Sequence, residues 1–171
     1  LRNEKKTGMN NQSNPLHTPH STLSPAPAGS PGVGHPVTAS RALHSRFIQR
    51  LHRRYGKELP LLAPGLPDRD GMRACYRTLR ERGLDVGGAL RMLRQLVMER
   101  LAVLDCDAGA PMPDIALSVT WLAEIALDIA CMEAFEQLDA RFGAPLKPDG
   151  SRCKLWIMGM GKLGARELNV S

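Results

Sequence analysis

The strongest constraint on the fold of this 171-residue chain is a run of apolar residues at helical spacing near its centre. The run steps by three or four positions and comprises Val86, Leu90, Leu93, Val97, Leu101 and Leu104. This spacing places one apolar stripe along a single face of an α-helix, and the stripe needs cover from other helices. Asp85 directly precedes the run and is a candidate N-cap residue. The pattern therefore predicts a long helix inside a helical bundle.

Two further helices are predicted before this one. The first follows Ser40, a candidate N-cap, and is ended by Gly56 and Pro60. Its apolar residues fall at four-residue steps and are Leu43, Phe47, Leu51 and Tyr55. The second is capped by Asp68 and ends at Gly83. Its apolar positions are Met72, Cys75, Tyr76 and Leu79.

A fourth helix is predicted from Asp114 to about Phe142, with Gly143 as its stop. Its wide apolar stripe is typical of a bundle helix that contacts more than one neighbour. Glu124 and Asp128 interrupt the apolar run, so it falls short of the roughly 20 residues of a membrane span. We therefore expect no membrane partner.

Composition supports a helical protein. Hydrophobic residues make up 43% of the chain and aromatic residues only 4%, so the core must consist mainly of Leu, Ala, Ile, Val and Met. Unbranched side chains lose little rotamer freedom in a helix, so this composition favours helices over sheets. The net charge is +6, but the charged residues are unevenly distributed. Residues 41–59 are strongly basic, and residues 112–142 are strongly acidic. Solvated helix faces explain both regions, and no nucleic-acid partner is expected.

The four cysteines lie more than twenty residues apart, which is not metal-ligand spacing. We therefore expect reduced thiols in a cytoplasmic protein, with no metal site among the residues given. No secretory signal is visible. Residues 1–39 contain six of the thirteen prolines together with many small polar residues. This composition predicts a disordered Pro/Ser-rich tail.

The helical spacing of apolar residues ends at a turn predicted at residues 148–150. Residues 154–158 form a short, nearly continuous apolar run, which predicts the first strand of an α/β unit. Three glycines and a lysine follow within six positions: Gly159, Gly161, Lys162 and Gly164. A backbone without Cβ atoms can bring its N–H groups close to a phosphate, and the lysine adds a positive charge. The segment is a candidate anion-binding turn.

Spacing alone leaves three interpretations open. Residues 159–164 satisfy G-x-G-x-x-G, so a truncated dinucleotide-binding oxidoreductase is possible. That fold requires a helix that continues for three turns and an acid about 20 residues further on. A non-catalytic helical module could instead bind an acidic partner through residues 41–57. A glycine-rich connection without a ligand is the third possibility.

The string from Trp156 to Ser171 resembles the signature of the glutamine synthetase adenylyltransferases, which belong to the polymerase-β-type nucleotidyltransferases. The matching pattern is Gly-x-Gly-Lys-Leu-Gly-x-x-Glu-Leu-Asn-x-Ser. Met160 and Asn169 resemble the residues typical of these positions in the adenylyl-removing half of that bifunctional enzyme. Ala165 departs from the pattern, where glycine is common. A weaker resemblance extends upstream through residues 90–105.

The resemblance implies a mainly α chain in three parts. Residues 1–39 are the tail, residues 40–147 a helical bundle, and residues 148–171 the start of a truncated α/β nucleotidyltransferase domain. Nucleotide and phosphate binding is expected at the following residues: Gly159, Gly161, Lys162, Gly164 and Ser171. No catalytic residue lies within the chain, because the resemblance places the Mg²⁺-binding carboxylates beyond Ser171.

The implied activity is regulatory. In the family, inorganic phosphate removes AMP from a tyrosine of glutamine synthetase to give ADP, and the second half adds AMP from ATP. Glutamine synthetase is the expected partner, with regulation by a PII-type protein, in cytoplasmic nitrogen metabolism. The chain by itself is expected to be inactive.

Overall fold

Helices dominate residues 40–170, which are the residues described by this computed structural model. The predicted tail, residues 1–39, and Ser171 lie outside the described residues. The α-helices, numbered in chain order, are α1 (Arg46–Tyr55), α2 (Arg69–Glu81), α3 (Val86–Ala108), α4 (Met112–Phe142) and α5 (Gly161–Ala165). Two short 3₁₀ turns precede α1 and α2 at Ala42–His44 and Leu59–Leu61.

Helix α3 is the centre of the bundle and packs against α1, α2 and α4. The Asp85 carboxylate accepts a hydrogen bond from the Gly88 N–H at 2.7 Å, as the predicted N-cap requires. Gly109 ends the helix in the left-handed conformation. The stripe residues Leu93 and Val97 are fully buried. The buried face also includes residues outside the predicted stripe, namely Ala89, Leu96, Met98 and Glu99.

Helix α2 forms as the sequence predicts. The Asp68 carboxylate accepts a hydrogen bond from the Gly71 N–H at 2.7 Å and caps the first turn. The inward face consists of Met72, Cys75 and Leu79, which are all buried. The chain leaves the helix at Gly83, whose φ of 91° suits a residue without a Cβ.

Helix α4 is only half covered by the bundle. It begins at Met112, two residues before the predicted start, and ends at Gly143 as predicted. Its buried residues all lie in the first half, between Ile115 and Ile125. In the second half, Met132 and Phe142 are exposed. The helix is long and apolar enough to span a membrane by length and composition, but its buried first half is a core element of the bundle.

Paired charges fix α4 against α2. Arg69 and Arg73, one helical turn apart on α2, bind Glu124 and Asp128, one turn apart on α4. The Arg73–Asp128 pair has a nitrogen–oxygen distance of 2.8 Å. Two matched pairs at the same interval favour one register of α4 on α2, because a shift of either helix separates both pairs.

A buried carboxylate joins α1 to α3. Glu99 is only 6% exposed, and its Oε1 lies 2.6 Å from Nε2 of His52. A buried polar group without a partner would destabilise the fold, so His52 has a structural role. His44 lies in the first 3₁₀ turn and is exposed.

The prediction that Ser40 caps the first helix is wrong. The chain forms a 3₁₀ turn at residues 42–44, and α1 begins only at Arg46. The Ser40 hydroxyl donates instead to Asp107 near the end of α3, and the Ala42 N–H donates to the same carboxylate at 3.1 Å. These hydrogen bonds hold the pKa of Asp107 below its ordinary value, and the bond from Ser40 has the largest effect. Leu43 is therefore 45% exposed rather than part of the core.

The predicted strand at residues 154–158 is also not formed. Residues 40–170 contain no β-strand, and the one isolated bridge in this part of the chain joins Leu146 to Arg152. Residues 153–160 are non-helical and have no neighbouring strand. A strand needs a partner for its backbone hydrogen bonds, so an apolar run alone cannot form one. The described chain is mainly α.

Truncating the central stripe should destabilise the bundle strongly. We expect Leu93→Ala to lower the free energy of unfolding by about 2–5 kcal/mol, because Leu93 is fully buried and leaves a cavity. Leu43→Ala is the matched control and should change it by less than about 0.5 kcal/mol. Urea unfolding followed by circular dichroism measures both. Equal losses in the two variants would contradict this core.

The cysteines should differ in reactivity. Burial raises the pKa of the Cys75 thiol to about 11, partly opposed by Arg82. Thiolate is the reactive form, so Cys75 should resist iodoacetamide at pH 8 while exposed Cys106 reacts. Mass spectrometry of peptides from the native and urea-unfolded protein measures the labelling. Fast labelling of native Cys75 would show that its site is open.

Candidate functional site

The candidate site is the glycine segment, residues 159–166, which follows the non-helical residues 153–158. The segment contains α5, a helix of five residues. Gly161 has a φ of 56°, in the left-handed region that favours glycine. Arg166 ends α5 with a φ of 60°, which is uncommon for a residue with a side chain. Two left-handed residues thus bracket α5.

Gly164 is required by a close contact between two stretches of backbone. A Cβ atom at this position would lie 2.5 Å from the carbonyl oxygen of Gly159. Backbone atoms cannot move aside as the end of a flexible side chain can. Residues 159 and 164 therefore touch only because position 164 has no side chain. This contact accounts for the glycine at position 164 of the pattern.

The far end of the glycine segment is attached to the bundle. The Glu167 N–H donates to the carbonyl of Lys162 at 2.8 Å, which closes the segment on itself. Leu168 and Val170 then pack against the bundle core. The position of the segment is therefore determined by apolar contacts that follow it in the chain.

The predicted site residues fall into two groups. The three glycines lie within the glycine segment, and Lys162 is exposed there, with no ion pair to any of residues 40–170. Ser171 lies outside the described residues. Phosphate binding by these residues stays a prediction.

A cavity of about 820 Å³ separates the glycine segment from the second half of α4. Gly159 and Gly164 line one side. Charged residues of the other side include Arg73, Glu124 and Asp128. The apolar lining includes Met132, Phe135, Trp156 and Met158. The cavity therefore combines an apolar wall with a charged edge.

Two arginines of this cavity carry no signal in the sequence. Arg73 belongs to α2, about 90 residues before the glycines, and reaches the cavity because α2 packs on α4. Arg166 follows α5 and lines the cavity without an ion pair to the described residues. Only the tertiary fold brings Arg73 to the glycines, whereas Arg166 is two residues from Gly164 in the chain.

An exposed apolar surface borders the cavity. Trp156, Met158 and Met160 are 84%, 86% and 81% exposed. Leu138 and Phe142 of α4 are exposed as well. Large apolar side chains exposed to this extent are typical of residues that pack against further protein.

Metal-binding geometry is not found at the glycine segment. Among the described residues, no group of three or more His, Cys, Asp or Glu side chains could hold a metal ion. The acids nearest the glycines across the cavity, Glu124 and Asp128, are paired with the arginines of α2.

Comparison with known proteins points to one family. A family model described as glutamate-ammonia ligase adenylyltransferase matches residues 71–171. The relatives are described as bifunctional glutamine synthetase adenylyltransferase/adenylyl-removing enzymes. The protein of Aromatoleum aromaticum is 36% identical over 135 residues, which is 75% of this chain and 14% of that protein.

Two further relatives match over shorter stretches. The protein of Burkholderia mallei is 41% identical over 83 residues, 48% of this chain and 9% of its own length. That of Thioalkalivibrio sulfidiphilus is 42% identical over 82 residues, 48% of this chain and 8% of its own. No solved structure matches. The matched part is thus at most about a seventh of these relatives.

The Gly159–Gly164 contact makes a test at single-residue level possible. Gly164→Ala should abolish the helical chemical shifts of residues 161–165, because the new Cβ meets a backbone oxygen at 2.5 Å. Arg166→Gly is the control and should preserve them, because glycine tolerates the left-handed conformation at this position. Backbone NMR on the two variants gives the readout. Unchanged shifts in Gly164→Ala would refute the close contact.

Proposed function

This chain belongs to the glutamate-ammonia ligase adenylyltransferase family, and from that premise we propose that it is part of an enzyme that removes AMP from a tyrosine of glutamine synthetase. The longer protein would also add AMP to the same tyrosine. The observation that carries this proposal is the family match through residue 171, which includes the whole glycine segment. Because the chain spans 14% of its relative from Aromatoleum, the activity is proposed for the longer protein.

The proposed reaction needs no protein nucleophile. An oxygen of inorganic phosphate attacks the phosphorus of the AMP group, and the bond from that phosphorus to the tyrosine oxygen breaks. ADP leaves, and the tyrosine oxygen takes up a proton. The protein then contributes positioning and stabilisation of charge on the transferred group. An exposed lysine beside a glycine turn suits that task, whereas an activated Ser or Cys is unnecessary.

We propose that the glycine segment lies against the phosphates. The contact between Gly159 and Gly164 leaves the backbone bare of side chains, so an anion can approach it closely. Lys162 is exposed in the same turn and would bring a positive charge to the transferred phosphoryl group. Ser171 would lie next to the metal site by resemblance to the family.

The described residues do not themselves fit Mg²⁺, because they contain no suitable group of acidic, His or Cys side chains. Mg²⁺ is proposed for the longer protein, at carboxylates that follow Ser171 in the family pattern. An isolated chain of residues 1–171 would then be inactive. By the same resemblance, we propose a cytoplasmic location and regulation by a PII-type protein.

The dinucleotide-binding alternative is not supported. It requires a helix that continues for three turns beyond the glycines, whereas α5 ends at Ala165 and Arg166 leaves the helical conformation. The family match also includes the glycine segment within an adenylyltransferase. The same match does not support a purely non-catalytic helical module.

Neutralising Lys162 should impair the longer enzyme. We expect Lys162→Met to lower kcat for phosphate-dependent release of ADP from adenylylated glutamine synthetase by about 10²-fold. The substitution removes the positive charge that would stabilise the transferred phosphoryl group. Lys154→Met, an exposed lysine outside the glycine segment, is the control and should retain activity. Production of ADP by the purified longer protein is measured. Full activity in Lys162→Met would remove Lys162 from the site.

A further inference from the structure

Residues 145–153 form a hairpin that follows α4 in the chain and precedes the glycine segment. Its two arms meet at the isolated antiparallel bridge between Leu146 and Arg152. A backbone hydrogen bond of 2.8 Å lies on each side of this bridge. At the tip, the Asp149 carboxylate accepts a hydrogen bond from the Ser151 N–H at 2.9 Å. Because the arms of this segment, here called the turn hairpin, are joined, a contact made by one arm also restrains the other.

The Arg152 side chain attaches the turn hairpin to the second half of α4. Its Cζ atom lies 4.8 Å from the centre of the Phe135 ring, and its Nη1 atom pairs with the Asp139 carboxylate. Phe135 and Asp139 are four residues apart in α4, so they lie one turn apart on the same face. A planar guanidinium can stack on a ring and bind a carboxylate, whereas a lysine ammonium is a compact point charge. These three side chains are here called the arginine anchor.

The arginine anchor attaches a stretch of chain that the buried core does not hold. No apolar residue between positions 143 and 167 packs on the core, and the next apolar contacts come from Leu168 and Val170. Among residues 40–170, the pair between Arg152 and Asp139 is the one ion pair that joins this stretch to a helix of the bundle. The anchor therefore shortens the chain between attachments to residues 153–167, which leaves the glycine segment fewer conformations.

We propose that Arg152 is a positioning residue, which holds the entry to the glycine segment at a fixed place on α4. This inference rests on the proposed function, because the position of the segment matters for the reaction only if the segment lies against the transferred phosphoryl group. Arg152 does not line the cavity beside the glycines, so it acts through the backbone and not by contact with substrate. A displacement of about 1 Å in a positioned group can lower the rate by about 10²-fold.

The arginine anchor lies outside the part of the molecule that stabilises the bundle. The buried residues of α4 lie between Ile115 and Ile125, and none of the three anchor residues belongs to the buried core. The side chains of Arg152 and Asp139 are 38% and 28% exposed. Loss of the anchor should therefore free the chain before the glycine segment and leave the helices folded. This difference separates positioning from overall stability.

The test compares Arg152→Met with Arg141→Met. Arg141 is a matched control because it is an exposed arginine of the same half of α4 and lies over the ring of Phe142 at 4.9 Å. It forms no ion pair with any of residues 40–170. The first measurement is the amide ¹H–¹⁵N NOE of residues 154–158 in the chain of residues 1–171. Arg152→Met should lower these values and Arg141→Met should not, with unchanged circular dichroism melts in both.

The second measurement is phosphate-dependent release of ADP from adenylylated glutamine synthetase by the longer enzyme. Arg152→Met should lower kcat by about tenfold with KM for glutamine synthetase unchanged, because the segment that positions the phosphoryl group is released. Arg152→Lys retains a cation for Asp139 and should recover part of kcat. The reversed pair, D139R/R152D, should do the same. Arg141→Met should retain full activity.

Three results would overturn the positioning proposal. The first is an unchanged NOE at residues 154–158 in Arg152→Met, and the second is an unchanged kcat in that variant. The third is a loss of kcat that neither Arg152→Lys nor the reversed pair reduces, or that Arg141→Met shares. If the unmodified longer enzyme released no ADP, the proposed function itself would fail. The NOE measurement would still decide whether the arginine anchor holds the chain, since it does not depend on activity.

Discussion

The buried face of α3 is the contact on which the rest of the bundle depends. Leu93, Val97 and Leu101 are fully buried, and α1, α2 and α4 each pack against this helix. Burial of one such side chain contributes about 1.5–3 kcal/mol, so the stripe is a large part of what opposes the entropy of ordering the chain. It also determines where α2 and α4 meet. That meeting places Arg73, Glu124 and Asp128 at the edge of the cavity beside the glycine segment.

Helix α4 connects the bundle to the candidate site because its second half extends beyond the helices that cover its first half. Its first half is buried, and its charges bind the arginines of α2. Its second half carries exposed apolar side chains and forms one wall of the cavity beside the glycine segment. A helix anchored at one end in this way can hold a binding segment at a defined position. The exposed apolar surface is the face that further polypeptide of the longer protein would cover.

The candidate site is built mainly from backbone. Gly159 and Gly164 touch without side chains, and Leu168 and Val170 hold the segment against the core. Such a site suits a reaction in which a phosphoryl group is positioned and its charge is stabilised, because neither task requires a reactive side chain. The bundle therefore contributes the placement of the glycine segment.

The sequence by itself determined what depends on neighbours in the chain. The caps at Asp68 and Asp85 involve an N–H three residues away, and the stops at Gly83 and Gly143 depend on a single residue's conformation, so local pattern was sufficient. The glycine motif and its family likewise lie in consecutive residues. Only the tertiary structure decided what depends on distant partners. Ser40 donates a hydrogen bond to Asp107, 67 positions away, instead of capping the first helix. Residues 154–158 have no neighbouring strand in the described part of the chain, although a strand requires one. Arg73 reaches the cavity because α2 packs on α4. A contact between residues far apart in the chain is decided by the fold as a whole. Closing the intervening loop costs conformational entropy, and that cost is compensated only when the entire core assembles.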